Sequence, residues 1–524
     1  MPDYFSPKKL LEKIFLHMVT MRDEPGVFVN KAGLFLRKPI TDVQEQPEEE
    51  GRVKFKRHLN GFHLITIGIG AIIGAGIFII TGQAAAAYAG PAVVLCFLIA
   101  SCICFFAGLC YAELSSLIPV SGGSYTYAYV ALGEFPAWIV GWSIFIQLLV
   151  TASTVAIGWA GYFTSFIKDF GLIIPASLAR EPFAYDSKLG FYFTESFLNL
   201  PAIVFVGLLT MLISIGIRAA AYFNNAMVAI KLSAIILFII IGIPYIQSSN
   251  WTPFIPENTG VFGQFGWSGI FRGAGLVFFA YIGFDTISSL SQETVHPQRN
   301  VPIGTLGSLG ICTLLYILTA LVLTGIASYT LLSVPDPMSI ALNIIGMKLY
   351  WLSFIIKLAI LAGLASVVLV MILGLTRIVY AIGKDQLIPK AFANVHAKTK
   401  TPLFSTYLVG LSIALVSAFF PMEMLGQLAA MTTLFILSIV CLGVLFLRYR
   451  HPELKRPFKT PLVPYIPLLG IGGCVLQMLF MPSFTWVQLV SWHVIGIILY
   501  FSYGKRKSRL QKMARGHHLS DTLY

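Results

Sequence analysis

Long apolar runs separated by short polar stretches fill the chain from about residue 59 to residue 502. A helix that crosses a membrane needs about 20 apolar residues. About twelve such runs can be counted, beginning near Gly61, Pro91, Pro136, Leu200, Ala220, Trp267, Pro302, Trp351, Leu403, Met424, Val463 and Trp486. The pattern predicts an all-α integral membrane protein with about 12 transmembrane helices, named here spans 1 to 12 in chain order. Residues 1–58 read as a polar cytoplasmic tail. Within it, Phe5–Met21 can form a short amphipathic helix on the inner leaflet. The acidic run Glu45–Glu50 and the basic run Arg52–His58 then read as a solvated linker and a membrane-surface anchor. Residues 503–524 form a basic cytoplasmic tail at the other end.

The connections differ in character. Ala89–Ala92 is a turn from span 1 into span 2. The inner loop within Cys110–Tyr129 has almost no Lys or Arg and many Gly, Ser and Tyr, which suits packing on protein or in the membrane interface rather than in water. Lys168–Asn199 is the longest outer loop. Spans 4 and 5 are expected to meet at a short inner turn near Arg218–Asn225.

Span 1 carries the unusual stretch Gly68–Phe78, GIGAIIGAGIF, with glycines at 68, 70, 74 and 76. Each weakens a helix by about 1 kcal/mol relative to alanine. Two readings fit: a small-residue packing face, for which Gly70-x-x-x-Gly74 is a pattern, or a broken helix whose freed backbone groups line a site. Span 6 carries a second interruption, Gly283 and Asp285 in FFAYIGFD (Phe278–Asp285). The two interruptions lie five spans apart. Matching interruptions in two halves point to inverted repeats with a binding site at the midplane.

Composition agrees with a membrane protein, since only 11% of the 524 residues are charged, against about 25% in soluble domains. The net charge of +13 does not call for nucleic acid, because it follows from where Lys and Arg lie. Lys8 to Arg57, Lys384–Lys400, Arg448–Lys459 and Lys505–Arg515 fall on one side, and Lys168, Arg180, Lys188 and Lys348 on the other. The positive-inside rule then puts both termini in the cytoplasm and favours an even number of spans. The seven cysteines fall within apolar runs, which argues against a disulfide framework. No nucleotide-binding Gly-rich loop ending in Lys-Ser/Thr, no HExxH and no GxSxG occurs, so neither ATP-driven transport nor hydrolysis is expected.

Ionisable residues inside spans are functional candidates by default. Lys231 lies in the middle of span 5. It either snorkels to the cytoplasm or serves as a titrating group that gains and loses a proton during a transport cycle. Glu113 closes span 2 and is either exposed at the interface or part of a gate. Asp285, in the break of span 6, can cap the second half-helix. Glu293 begins an inner loop among gate residues, and Lys357 and Arg272 are expected to snorkel at outer helix ends.

GAIIGAGIF, Thr81–Leu95, CYAELSSLIPVSGGSYTYAY, FFAYIGFD, QETVHPQRNVPIG and Leu454–Pro464 together resemble the amino acid–polyamine–organocation superfamily. The nearest resemblance is to the cationic amino acid transporter family and its bacterial proton-coupled relatives, over roughly residues 52–505. It implies a transporter domain at 59–502. Within that domain, two inverted five-helix repeats lie at about 59–247 and 266–447, and two peripheral helices at about 463–502. It implies that Ile72, Ile73, Gly74, Ala75 and Gly76 bind a substrate carboxylate through backbone N–H groups. It further implies that carbonyls of Phe279, Ala280 and Ile282 accept the ammonium, that Lys231 couples protons, and that Met371 lines the side-chain pocket.

The chain departs from the family pattern in three places. Ala75 stands where Thr or Ser is frequent. Ile146-Gln147-Leu148 replaces Leu-Glu-Tyr in span 3, and Lys384-Asp385-Gln386 replaces Arg-Asp-Gly. Met371 and the uncharged Gln147 therefore favour a neutral side chain over a cationic one. The expected activity is proton-coupled amino acid symport across the plasma membrane (the inner membrane in a bacterium). Proton-independent exchange and non-transporting reception are the alternatives. The expected partners are a small amino acid and the lipid bilayer, with no nucleic acid, no metal and no cofactor beyond the coupling proton. The resemblance leaves room for a small membrane subunit.

Overall fold

A computed structural model describes residues 33–38, 59–119, 122–186, 190–215, 217–334, 336–345, 350–396 and 401–513. The expected helix at Phe5–Met21, the runs Glu45–Glu50 and Arg52–His58, and the end of the C-terminal tail lie outside them.

Backbone amides that hydrocarbon surrounds must pair within their own segment, so spans form helices. Among the described residues, eight helices are long and apolar enough to cross a membrane, and four shorter apolar helices accompany them. Span 1 is in two pieces. The first, α1, is Gly61–Ile72, opened by a reciprocal cap between Asn60 and His63. The second, α2, joins Gly76–Ile80, Thr81–Ala84 and Ala85–Ala89. Gly90, at φ 59°, turns the chain into α3, Val93–Leu117. There follow α4 (Gly123–Ala131), α5 (Glu134–Lys168), α6 (Leu200–Ile215), α7 (Ile217–Gly242) and α8 (Gly266–Val277). The second half of the chain forms α9 (Pro297–Ile326), α10 (Pro337–Ile345), α11 (Tyr350–Lys384), α12 (Leu403–Phe419), α13 (Met422–Arg450), α14 (Tyr465–Leu479) and α15 (Ser483–Leu499).

The core forms around α5, which packs along α11 and α13, while α9 packs along α1 and α3. Ala152, Ala156 and Ala160 are fully buried at four-residue spacing on α5, so neighbouring backbones can approach closely. Leu208, Met211, Ile240, Leu411 and Leu442 point outward and exposed, which suits hydrocarbon and not water.

Several connections differ from the expected ones. The turn expected near Arg218–Asn225 is absent, because α7 already begins at Ile217. Ala219, Ala220 and Ala221 are strong helix formers with no Gly or Pro among them. The inner loop after span 2 does pack on protein, as expected. It also contains the helix α4, whose Tyr125, Tyr127 and Tyr129 are all buried. The long outer loop holds an antiparallel hairpin, β1 (Phe183–Asp186) and β2 (Gly190–Phe193), in the register Phe183↔Phe193. Phe183 stacks on Phe420 just before α13, at 5.8 Å between ring centroids, which fixes the hairpin over the connection between α12 and α13.

Candidate functional site

Span 1 breaks where the glycines are. After Ile72 the chain extends at Ile73 (φ −72°, ψ 112°) and resumes helical geometry at Ala75. The N–H groups of Gly74, Ala75 and Gly76 make no backbone hydrogen bond among the described residues. They form the open first turn of α2, where free N–H groups and the helix dipole favour an anion.

Span 6 breaks opposite. After α8, a tight turn of helix runs over Phe278–Tyr281. Ile282 is extended, Gly283 takes φ 111°, and a second tight helical stretch covers Phe284–Glu293. A side chain at 283 would be strained by that φ and would also lie 2.7 Å from the carbonyl oxygen of Ala71. A Cβ on Gly76 would fall on the backbone of Ala280. The two breaks therefore touch, with glycine on one side of each contact.

Tyr316 of α9 joins them. Its buried hydroxyl lies 2.7 Å from the Ala280 carbonyl oxygen and 3.0 Å from that of Ile72. Tyr162 of α5 adds a third tie, donating to the Phe78 carbonyl at 2.8 Å. Neither tyrosine stood out in the sequence. The signal available was a phenol at mid-span in otherwise apolar surroundings. Of the carbonyls expected to meet an ammonium, Ala280 accepts from Tyr316 and Phe279 accepts from the Ile282 N–H at 3.2 Å. Each retains one lone pair.

Lys231 does not snorkel. It is fully buried, and its ammonium donates to Gly70 O, to Ile73 O at 2.7 Å and to Ser366 Oγ at 3.1 Å. It makes no ion pair among the described residues. The charge is held by two carbonyls at the end of α1 and one hydroxyl on α11. Room for it comes from Gly363, where a Cβ would stand 2.7 Å from the Cβ of Lys231.

One face of α11 then runs from Gly363 at Lys231, through Val367, which abuts Gly74, to Met371 one turn further on. Met371 is buried on that face. Gln147 is buried on α5 and donates to Thr433 Oγ1 of α13 at 2.9 Å. No hydrogen bond joins Gln147 to either break among the described residues.

The remaining carboxylates separate. Glu113 is not exposed at the interface: it is 2% exposed and held by Arg448 through Nε at 2.8 Å and Nη2 at 2.9 Å. Arg456 Nε lies 3.2 Å from it, and the Thr460 N–H donates at 2.8 Å. Glu113 thus clamps α3 to the end of α13 and the loop that follows, and no hydrogen bond joins its side chain to either break among the described residues. Asp285 sits in the first turn of Phe284–Glu293, at the end of that helical stretch where the helix dipole favours a carboxylate. The side chain of Glu293 lies outside the described residues. Lys357 is also not a snorkelling residue, since it is buried and paired with Asp169 at 2.7 Å. Arg272 does lie partly exposed, over the ring of Tyr88 at 5.1 Å.

The sequence pattern of the amino acid permease family matches residues 59–502. Among similar proteins, a methylthioribose transporter of Bacillus subtilis is 39% identical, with 92% of this chain and all of the relative covered. A branched-chain amino acid permease of the same organism is 37% identical over 92% of this chain and its own full length. Cationic amino acid transporter 5 of Arabidopsis thaliana is 35% identical over 82% of this chain and 70% of its own.

Proposed function

The chain belongs to the amino acid permease family of the amino acid–polyamine–organocation superfamily, and from that premise we propose that it carries a neutral amino acid across the plasma membrane together with a proton. It is a multi-pass membrane transporter of amino acids and not an enzyme. The proposal adds the coupling ion, the class of side chain and the residues that do the work.

The observation that carries it is the Lys231 ammonium, buried with no counter-carboxylate among the described residues and bonded to the carbonyls at the end of α1 where span 1 breaks. A proton on that nitrogen stabilises the arrangement in which α1 lies against α7 and α11. Its loss removes charge-assisted bonds and shifts the balance between arrangements. A proton can drive transport only through such a difference.

The substrate carboxylate is read by the N–H groups at Gly74, Ala75 and Gly76, with Ile72 and Ile73 supplying the turn. The ammonium is read by the carbonyls of Phe279, Ala280 and Ile282. Met371 and Gln147 form the side-chain end, and Asp285 and Glu293 belong to the inner gate. The frame is twelve spans with both termini in the cytoplasm. Inverted repeats lie at about 59–247 and 266–447, two peripheral helices at 463–502, and tails at 1–58 and 503–524. The branched-chain permease among the relatives supports a neutral apolar amino acid as the first class to test.

The test is thermal stabilisation of the purified protein across the twenty amino acids and methylthioribose, because a ligand that binds the folded state raises its melting temperature. Uptake into proteoliposomes with and without an inward proton gradient follows. Stabilisation by branched-chain or similar neutral amino acids and gradient-driven accumulation are expected. Stabilisation by methylthioribose alone would overturn the substrate class. Counterflow that ignores the gradient would make the protein an exchanger.

A further inference from the structure

The chain that leaves α15 has two faces. Tyr500, Gly504, Ser508 and Gln511 are buried, a helical spacing that aims one side at the protein. That side converges on Glu134, the fully buried first residue of α5. Tyr500 Oη donates to its carboxylate at 2.9 Å, Ser508 Oγ at 2.5 Å and Gln511 Nε2 at 3.3 Å, and Tyr129 of α4 donates at 2.8 Å. The Arg509 N–H adds a bond to the Asp385 carbonyl at 3.1 Å, and Gln511 Nε2 also donates to the Gly33 carbonyl.

The opposite face is cationic. Arg506, Lys507, Arg509 and Lys512 are all exposed. None makes an ion pair among the described residues. The nearby carboxylates are turned away from this face: Glu134 is wholly buried, and Asp385 pairs with Lys38 at 2.7 Å and accepts from Tyr125 at 2.7 Å. Two apolar side chains share the exposed surface, Phe501 at 43% and Met513 at 50% exposure. A row of cations beside exposed apolar groups, directly after a membrane helix, is the chemistry of a lipid headgroup interface.

We propose that Arg506, Lys507, Arg509 and Lys512 form a fixed docking surface for anionic glycerophospholipids of the adjoining leaflet, held in place by Glu134. A solvated basic tail also attracts anionic lipid, but it must be ordered on contact. Here the hydrogen bonds to Glu134 have already ordered it. The surface is therefore expected to retain individual lipids and not only to feel the potential of the leaflet.

The experiment uses the full-length protein in neutral detergent, titrated separately with phosphatidylglycerol, phosphatidylcholine and inorganic phosphate. Retained lipid is counted by native mass spectrometry, and the melting temperature is followed alongside. Wild-type protein should retain phosphatidylglycerol in preference to phosphatidylcholine. In the variant Arg506→Gln/Lys507→Gln/Arg509→Gln/Lys512→Gln, half-saturation by phosphatidylglycerol should move up by roughly ten-fold or more, as expected for loss of several near-surface cations. An unchanged preference in that variant overturns the proposal, and equal stabilisation by phosphate makes the surface an anion site instead. Should the fourfold variant not fold, wild-type protein is titrated in high salt. Screening should then abolish the preference, and its persistence overturns the proposal. Ser508→Ala/Gln511→Ala, which loosens the segment while keeping its charge, should lower retention of individual lipids, and full retention would remove Glu134 from the account.

Discussion

The ammonium of Lys231 and the carbonyl oxygen of Ile73 lie 2.7 Å apart, at the residue where α1 stops and the chain becomes extended. A carbonyl released by a helix break inside a membrane must find a donor. Here a charged donor comes from a helix more than 150 positions away. The break and the lysine therefore belong to one arrangement, and losing either end releases the other.

Replacing Lys231 with Met should leave a folded protein that still binds substrate but no longer accumulates it in response to an inward proton gradient. Arg should not rescue, because a guanidinium stays protonated. Uptake into proteoliposomes, with the gradient imposed and then collapsed, reads this directly. Accumulation equal to wild type would leave Lys231 with a purely structural part.

Gly76→Leu places a side chain on the backbone of Ala280. Overpacking typically costs about 1–3 kcal/mol, and here it acts where the two breaks meet. Substrate affinity should fall roughly ten- to hundred-fold by scintillation proximity binding. Unaltered affinity in a folded variant would move the site elsewhere.

Tyr316→Phe keeps the ring and removes the hydroxyl that lies between Ile72 O and Ala280 O. Losing a buried hydrogen bond and leaving its acceptor unmet costs about 1–3 kcal/mol. A lower melting temperature and weaker substrate binding are expected together. A drop in melting temperature with binding intact would confine Tyr316 to holding the helices.

Glu113→Ala leaves Arg448 and Arg456 without their carboxylate at a buried position. Removing one partner of a buried ion pair destabilises by about 3–5 kcal/mol. Chemical unfolding should show a loss of that size, with substrate selectivity unchanged. A changed selectivity profile would place Glu113 in the transport path after all.

Met371→Ser shortens and polarises a buried position one turn beyond Val367. Competition assays should show longer or cationic amino acids gaining about ten-fold on small apolar ones, the range that a few methylene contacts give. An unchanged profile would shift selectivity toward Gln147 and Thr433.

The breaks could be placed from sequence because their cause is local. Gly74 and Gly76 weaken one span, Gly283 weakens another, and no distant residue is needed to see it. The helical, membrane-type character of the chain was legible for the same reason, since apolar helices are marked by length and composition alone, although among the described residues only eight are long enough to cross a membrane and four are shorter. What was hidden depends on contacts between distant positions. Lys357 looked like a snorkelling residue because its partner, Asp169, is 188 positions away. Helix α4 looked like a loop because its order comes from burying Tyr125, Tyr127 and Tyr129, the first of which bonds Asp385, 260 positions on. The expected inner turn at Arg218–Asn225 failed for the opposite reason. The polar residues there suggested a loop, while the local alanines favoured helix.

Gly363 lies against the side chain of Lys231, with no room for a Cβ between them. The nearest atom is the Cβ of Lys231, 2.7 Å from where a Cβ at 363 would stand. Every residue but glycine carries that atom, so giving up the charge at 231 does not open the notch. An alanine at 363 requires α7 and α11 to move apart, whichever side chain stands at 231. Glycine at 363 therefore outlasts the lysine: a lineage that lost the charge would still keep the notch, and the way back to lysine would stay open.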